Sequence, residues 1–227
     1  MCGRITQQLP AKAIADLFQA ELLPGAQYAI VPRYNVAPSQ QVLGVVTQDG
    51  ARRVVQHRWG LVPAWAKDPA AFGNKTINAR AETVAVKPSY RDSFQRRRSI
   101  IPIDAFYEWQ RSQPARQPYA IVRRDGGPLA IAGLWAEWRD PGGDARLQSC
   151  AVITTTANEV VGEVHFRMPV LLPEDAWDLW LDPSCQDVSE LEKLLRPCPN
   201  ELLRAYPVSK MVGNVRNDGP ELLLPAA

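Results

Sequence analysis

The 227-residue sequence has only two histidines, His57 and His165, and four cysteines, Cys2, Cys150, Cys185 and Cys198. No two cysteines form a C-x-x-C pair, so no zinc ligand set is legible and no metal is expected. No apolar run approaches the roughly 20 residues that span a bilayer. The N-terminus shows no basic stretch followed by an apolar core, which removes the signature of a secretory signal. These absences lead to a cytoplasmic protein with no membrane partner. In that compartment a Cys185–Cys198 disulfide is disfavoured. Cys150 lies in an apolar, strand-like run and reads as a buried thiol. A dominant charge is missing too: the formal net charge is +2, so bulk electrostatics makes a weak case for nucleic acid. No repeat, low-complexity tract or linker interrupts the chain, and its length suits one domain over 1–227.

What is present is less ordinary. Of 26 basic residues only six are lysine. Arginine grips phosphate with a planar fork and stacks on bases, which lysine cannot do, although a GC-rich gene gives the same bias without function. Seven tryptophans include several in polar contexts suited to base stacking. The second residue is the most informative. If Met1 is removed, Cys2 carries a free α-amine and a thiol on adjacent carbons. An aldehyde condenses with the amine to an imine, and the thiol then closes a five-membered thiazolidine. The amine, with a reference pKa of ~7.7–8.0, is partly neutral near pH 7. The thiol, at ~8.5, needs modest help to ionise. Position alone does not separate this from an inert cysteine.

Hydrophobic periodicity predicts a first helix over Ala11–Ala20, with Ile14, Leu17 and Phe18 on one face. Gln41–Thr47 and Arg52–Trp59 read as strands paired around Gln48-Asp49-Gly50. Ser99–Ile103 and Phe106–Gln110 read as strands broken near Pro102 and Asp104. Tyr119–Arg123 and Leu129–Trp138 flank Asp125-Gly126-Gly127 and predict a second hairpin. Leu147–Thr155 is a further strand. Thr156 and Glu159 fit a capping box opening a short helix to Val164. Helices follow from Pro173 to Leu181 and, capped by Asp187, to Leu195. The sum is an α+β domain with a curved, barrel-like, mainly antiparallel sheet and peripheral helices.

Several residues are chemical candidates. Asn78 and Arg80 share a face if extended, or begin an Asx turn into a helix near Glu82. Glu108 lies among the aromatics of Phe106-Tyr107-Glu108-Trp109; facing inward it would be driven towards acid/base use, facing outward it is ordinary strand polarity. His165 follows the capped helix, where the dipole favours imidazolium, or is a plain C-terminal cap. His57, in an alternating strand, reads as structural or exposed. Trp59 and Trp65 bracket a rigid Gly/Pro segment that suits either base stacking or core packing. Arg96-Arg97-Arg98 could track phosphates or be a solvated run.

Taken in order, Met-Cys-Gly-Arg, Arg33–Gln40, Trp59–Trp65, Asn78–Thr83, Phe106–Trp109, Ala132–Trp135, Ile153–Thr155, His165–Pro169 and Asn214–Asp218 closely resemble the SOS response-associated peptidase family, over about 2–220. The resemblance implies a compact α+β domain around a small barrel-like sheet. It implies an enzyme, without cofactor, that acts on abasic sites in single-stranded DNA. The mature Cys2 would join the ring-opened sugar through an imine and then a thiazolidine. Weak lyase activity and self-removal of Met1 are further implications. Cys2, Asn78, Glu108 and His165 would be the working residues. Gly3, Arg4, Trp65 and Arg80 would face the DNA. The protein would be a monomer, associated with the nucleoid when bound to DNA. Many members read His-Asp-Arg-Met-Pro where this chain has Phe166, which leaves the hold on His165 in question. Two other readings stay open: a cysteine peptidase with Cys2 as nucleophile and His165 as base, and a non-catalytic binding module for single strands.

Overall fold

The computed structural model describes residues 2–23, 32–110 and 116–226; Met1 lies outside them. The chain opens with strand β1 (Ile5–Gln7), helix α1 (Ala11–Phe18) and β2 (Glu21–Leu22), then runs through β3 (Arg33–Val36), β4 (Gln41–Gln48) and β5 (Ala51–Trp59). Helix α2 (Pro69–Gly73), β6 (Asn78–Arg80) and α3 (Arg91–Arg96) lead to β7 (Arg98–Ile103) and β8 (Ala105–Trp109). Strands β9 (Pro118–Arg123), β10 (Leu129–Arg139) and β11 (Arg146–Thr156) follow. The rest comprises α4 (Glu159–Gly162), β12 (Arg167–Pro169), α5 (Trp177–Leu181), α6 (Val188–Lys193) and β13 (Leu203–Pro207).

Strands β11, β10, β7, β4 and β5 pair in that order, and β5 returns to β11 through a parallel contact at Ser149–Arg58 and Cys150–Trp59. The five strands thus close a mixed barrel, which removes the exposed edges an open sheet would carry. The second sheet, β13-β9-β8-β1-β3, is antiparallel throughout. This is the barrel-like α+β domain that the sequence suggested.

The β4–β5 hairpin forms as read. Asp49 (φ 51°) and Gly50 (φ 78°) both take positive φ, the primed geometry that matches strand twist. The second hairpin does not form. Although Asp125-Gly126-Gly127 does turn the chain, β9 pairs with β8 and β13, and β10 pairs with β7 and β11. The turn is a crossover from one sheet to the other. Turn chemistry specifies the reversal, while pairing follows the faces that must be buried. Pro102 does not break its strand either. It lies inside β7 opposite Ala130, and its carbonyl accepts from Gln7 Nε2 at 2.7 Å. The chain leaves the barrel two residues later, at Asp104.

Three smaller expectations change. Helix α1 buries Ala11, Ile14, Ala15 and Phe18 but leaves Leu17 outside, and it stops where Gln19 turns left-handed at φ 51°. Thr156 stays in β11 opposite Arg167; Asn158 caps α4 instead, accepting from the Val161 N–H at 3.0 Å. A 3-10 turn, Glu174–Ala176, precedes α5. Asp187 caps α6 as read, accepting from the Ser189 and Glu190 N–H groups. No helix among the described residues is long and apolar enough to cross a membrane.

Candidate active site

Cys2 enters just before β1 and is fully buried. The Tyr107 N–H donates to the Arg4 carbonyl at 2.9 Å, laying the first residues along β8. That strand carries Glu108, 3% exposed, so the carboxylate faces inward. Its charge reaches Cys2. Burial pushes the Cys2 thiol well above its ordinary range, and the Glu108 charge pushes it further. The expectation that this thiol needs only modest help to ionise is therefore overturned. Burial beside the Glu108 carboxylate favours the protonated thiol.

Asn78 reaches the same place from the barrel. It is extended in β6 opposite Val152 of β11, not in an Asx turn. Its Nδ2 donates to the Cys2 carbonyl at 2.8 Å. Among the described residues its buried Oδ1 finds no hydrogen-bond partner. Two side chains fix this strand: Trp59, which the sequence offered for stacking or core packing, and Tyr90, which sequence reasoning missed. The Trp59 indole N–H donates to the Ile77 carbonyl at 3.0 Å, and the Tyr90 hydroxyl donates to the Asn78 carbonyl at 3.0 Å. Burial raises the Tyr90 phenol to about 12, so it remains a donor. Two residues on, Arg80 lies on the Asn78 side of β6, and it is exposed while Ala79 packs into the core.

His165 is 4% exposed and arrives on the other edge of β11, where Thr156 pairs with Arg167 and Thr154 with Pro169. Helix α4 is only four residues long, too short for the dipole argument to carry weight. The main chain of Arg167 holds the ring instead. Its N–H donates to Nδ1 at 3.0 Å, and its C=O lies 3.1 Å from the same atom. Nδ1 can accept when the ring is neutral and donate when it is charged. Phe166, in place of the expected Asp, stacks on the imidazole at 4.6 Å and 21°. The hold on His165 thus has a backbone source. Arg167 is itself clamped, with Nη1 and Nη2 on the two carboxylate oxygens of Glu82 at 2.5 and 3.0 Å and Nη2 on the Thr154 carbonyl at 2.5 Å. That pair ties the strand of Asn78 to the strand after His165, and nothing in the local sequence announces it.

The remaining candidates separate. Arg4, beside Gly3, donates through Nη1 to Asn35 Oδ1 at 2.7 Å and to the Val212 carbonyl at 2.6 Å, and lies 5.7 Å from the centre of the Trp109 ring. Buried Asn35 binds the carbonyls of Val212, Asn214 and Asn217, which brings the Asn214–Asp218 motif beneath Arg4. Trp59 is core, 1% exposed, whereas Trp65 is 56% exposed with its ring edge-on to Phe72 at 5.1 Å. Gly60 makes this loop possible: at φ 129° an added Cβ would meet the Gly73 carbonyl oxygen at 2.4 Å. Arg98 does not track phosphates; it is buried, and its guanidinium serves the carbonyls of Phe94, Gln95, Trp180, Asp182 and Cys185. His57 is buried, not exposed. Among the described residues no group of three or more His, Cys, Asp or Glu could hold a metal.

The chain is 41% identical over 225 residues to the abasic site processing protein YoqW of Bacillus subtilis, covering 98% of this chain and 99% of that one. It is 34% identical to the abasic site processing protein HMCES of Gallus gallus, over 99% of this chain and 78% of that one. A crystal structure of a Bacteroides thetaiotaomicron protein, 24% identical, superposes with a TM-score of 0.89 over the whole of both chains and shares the fold. Residues 1–215 match the model of a family described as SOS response associated peptidase, SRAP, and the chain belongs to that family.

Proposed function

We propose that this protein processes abasic sites in single-stranded DNA by forming a covalent bond through Cys2. The relatives named for abasic-site processing support the role. The observation that carries the chemistry is the meeting of Cys2, Asn78 and Glu108 at the seam between the barrel and the second sheet.

Removal of Met1 frees the Cys2 amine. Its lone pair attacks C1′ of the ring-opened deoxyribose, and the carbinolamine loses one water, with a proton from His165, to give an iminium. Nδ1 of His165 lies against Arg167, which leaves Nε2 as the proton donor. The buried thiol resists ionisation while the site is neutral or negative. An iminium on the α-nitrogen of the same residue supplies the opposite charge, and Glu108 takes the sulfur proton. Sulfur then adds to C1′ and the iminium electrons return to nitrogen. The order is amine first and sulfur second, and the second step is intramolecular. Slow closure would leave the imine time for β-elimination. Asn78 holds the Cys2 carbonyl, so the amine and thiol stay aimed at one point. Arg80 contacts the strand's phosphates, and Trp65 offers a base-stacking face. Arg4, whose Nη1 is committed inside the fold, positions the Cys2–Arg4 segment and presents its remaining edge to the strand.

A resting thiolate, as a cysteine peptidase needs, is opposed by the burial of Cys2. The test is direct. Mature protein, with loss of Met1 verified by intact mass, is mixed with an abasic oligonucleotide. A denaturation-resistant adduct is expected, one water lighter than the sum of its parts. Cys2→Ser should leave only an imine that needs borohydride to persist. An equally stable Cys2→Ser adduct would exclude the thiazolidine. Multiple turnover on unrelated peptides would instead support the peptidase reading. Equal binding of intact and abasic strands with no adduct would support a binding module.

A further inference from the structure

We infer that Phe166 is a stacking subsite for the nucleobase that flanks the abasic sugar, an inference that rests on the proposed abasic-site reading and adds a base-contacting residue to it. Phe166 is 58% exposed although its neighbour His165 is 4% exposed. The two rings lie nearly parallel, 4.6 Å apart at 21°. Exposed large apolar side chains among the described residues are mostly aliphatic; the two aromatic ones are Trp65 and Phe166. An exposed aromatic is not unusual in itself. One stacked on a buried candidate acid, in a protein whose substrate has unstacked bases, is a platform in the right place.

The backbone gives Phe166 little freedom. Its carbonyl accepts from the Ala157 N–H at 3.1 Å, the Arg167 main chain engages His165, and β12 begins at the next residue. The backbone beneath the ring is therefore fixed, and the ring's stack on His165 restrains it further, which lowers the entropic cost of stacking. Arg80 lies across β11 from it. Arg80 pairs with Thr154 on one edge of β11, and Arg167 pairs with Thr156 on the other. Two strand spacings of about 4.8 Å put the two backbones roughly 10 Å apart. A strand gripped by its phosphate at Arg80, with its sugar at Cys2, can lay an adjoining base on Phe166. The position also matters electrostatically. Phe166 stands where the His-Asp-Arg-Met-Pro pattern has a carboxylate, and a neutral π face there does not repel phosphate as a carboxylate would.

Stacking tolerates every base but favours the larger purine surface. The prediction is a modest flank preference layered on otherwise sequence-indifferent binding. The experiment uses the mature protein and single-stranded oligonucleotides with one central tetrahydrofuran, an abasic analogue with no aldehyde, flanked on both sides by adenine or by thymine. Binding is read by anisotropy. Wild-type protein should bind the adenine-flanked strand several-fold more tightly. Phe166→Leu keeps an apolar side chain but removes the π face. It should bind the adenine-flanked strand about tenfold more weakly and lose most of the preference. Phe166→Tyr should restore both.

Cross-linking of the natural abasic strand gives the second readout. The loss in Phe166→Leu should fall on the half-saturating DNA concentration far more than on the saturating rate. Unchanged affinity of Phe166→Leu for both strands overturns the inference. So does a loss confined to the saturating rate, which would assign Phe166 to holding His165 and nothing else. Failure of the abasic-site reading looks different: wild-type protein would form no adduct with the natural site, whatever the tetrahydrofuran strands do.

Discussion

The barrel wall and the seam that holds Cys2 are built from the same kinds of residue but by different means. In the wall, β4 and β5 pair from Gln41–Arg58 to Gln48–Ala51 across a two-residue turn. Each contact there follows from one nearby in sequence. At the seam, Cys2 meets Asn78 from 76 residues away, and Arg4 is gripped by a carbonyl 208 residues away. The wall is stabilised by buried apolar area; the seam carries buried polar groups, each of which costs free energy unless bonded. The difference teaches where substitution should unfold the protein and where it should leave a folded protein without chemistry.

Trp59 and Trp65 put that contrast inside one seven-residue segment. Trp59→Ala should show the largest effect on stability. It removes a buried indole and its bond to the Ile77 carbonyl, at a cost of about 3–5 kcal/mol, and releases the strand of Asn78 as well. Chemical denaturation should show the midpoint falling at constant m. Trp65→Ala should leave that midpoint nearly unmoved and weaken binding of single strands by about 1–2 kcal/mol, the worth of one stacked base. A Trp65→Ala protein as unstable as Trp59→Ala would dissolve the distinction between the buried and the exposed indole.

Glu108→Gln is the next sharpest cut, because it removes a charge at the seam while keeping the shape. The cross-linking rate should fall by roughly 100-fold or more, as loss of a positioned proton acceptor does, with the melting temperature little changed. Stopped time courses on an abasic strand measure it. The imine should also persist longer, so strand cleavage by β-elimination should rise relative to the closed adduct. A Glu108→Gln protein that closes the ring at the wild-type rate would remove Glu108 from the proposed mechanism.

The wall was legible in advance for the same reason that it is stable. Asp49-Gly50, the alternation in Arg52–Trp59 and the apolar run in Leu147–Thr155 are local signals; the first became the hairpin turn and the other two became strands near their expected bounds. The second hairpin failed because Asp125-Gly126-Gly127 says that the chain turns, not which strand it turns towards. Thr156 lost the cap to Asn158 because its own backbone was already paired with Arg167. At the seam, Cys2 and the aromatic neighbourhood of Glu108 were visible as chemistry. Asn78, Arg80 and His165 rested on resemblance, since short polar motifs fit turns as well as sites. The roles of Tyr90 and of the Glu82–Arg167 clamp had no signal, because they exist only once β6, β11 and β12 lie side by side; that of Asn35 had none, because its partners are the carbonyls of Val212, Asn214 and Asn217 at the far end of the chain.

His57 tests the wall from within, through a pH dependence and not through a loss at one pH. It is fully buried beside Trp135, and among the described residues neither ring nitrogen has a hydrogen-bond partner. Burial lowers its pKa to about 3, against ~6.5 in the unfolded chain. Between those values the unfolded state binds a proton that the folded state refuses. Stability must therefore rise with pH through that window, by up to about 1.4 kcal/mol per pH unit for this one group, and be independent of His57 above it. Paired carboxylates such as Glu82 add slopes of their own at the acid end, so the useful quantity is a difference. His57→Leu keeps an apolar side chain of similar volume and deletes the titration. Denaturant unfolding of both proteins from pH 4 to pH 7.5 should show the two curves parallel above about pH 7, with only the wild type losing the extra stability as the pH falls. If the two slopes coincide throughout, the imidazole is protonated or solvated within the folded wall, and the dry interior inferred for it is wrong.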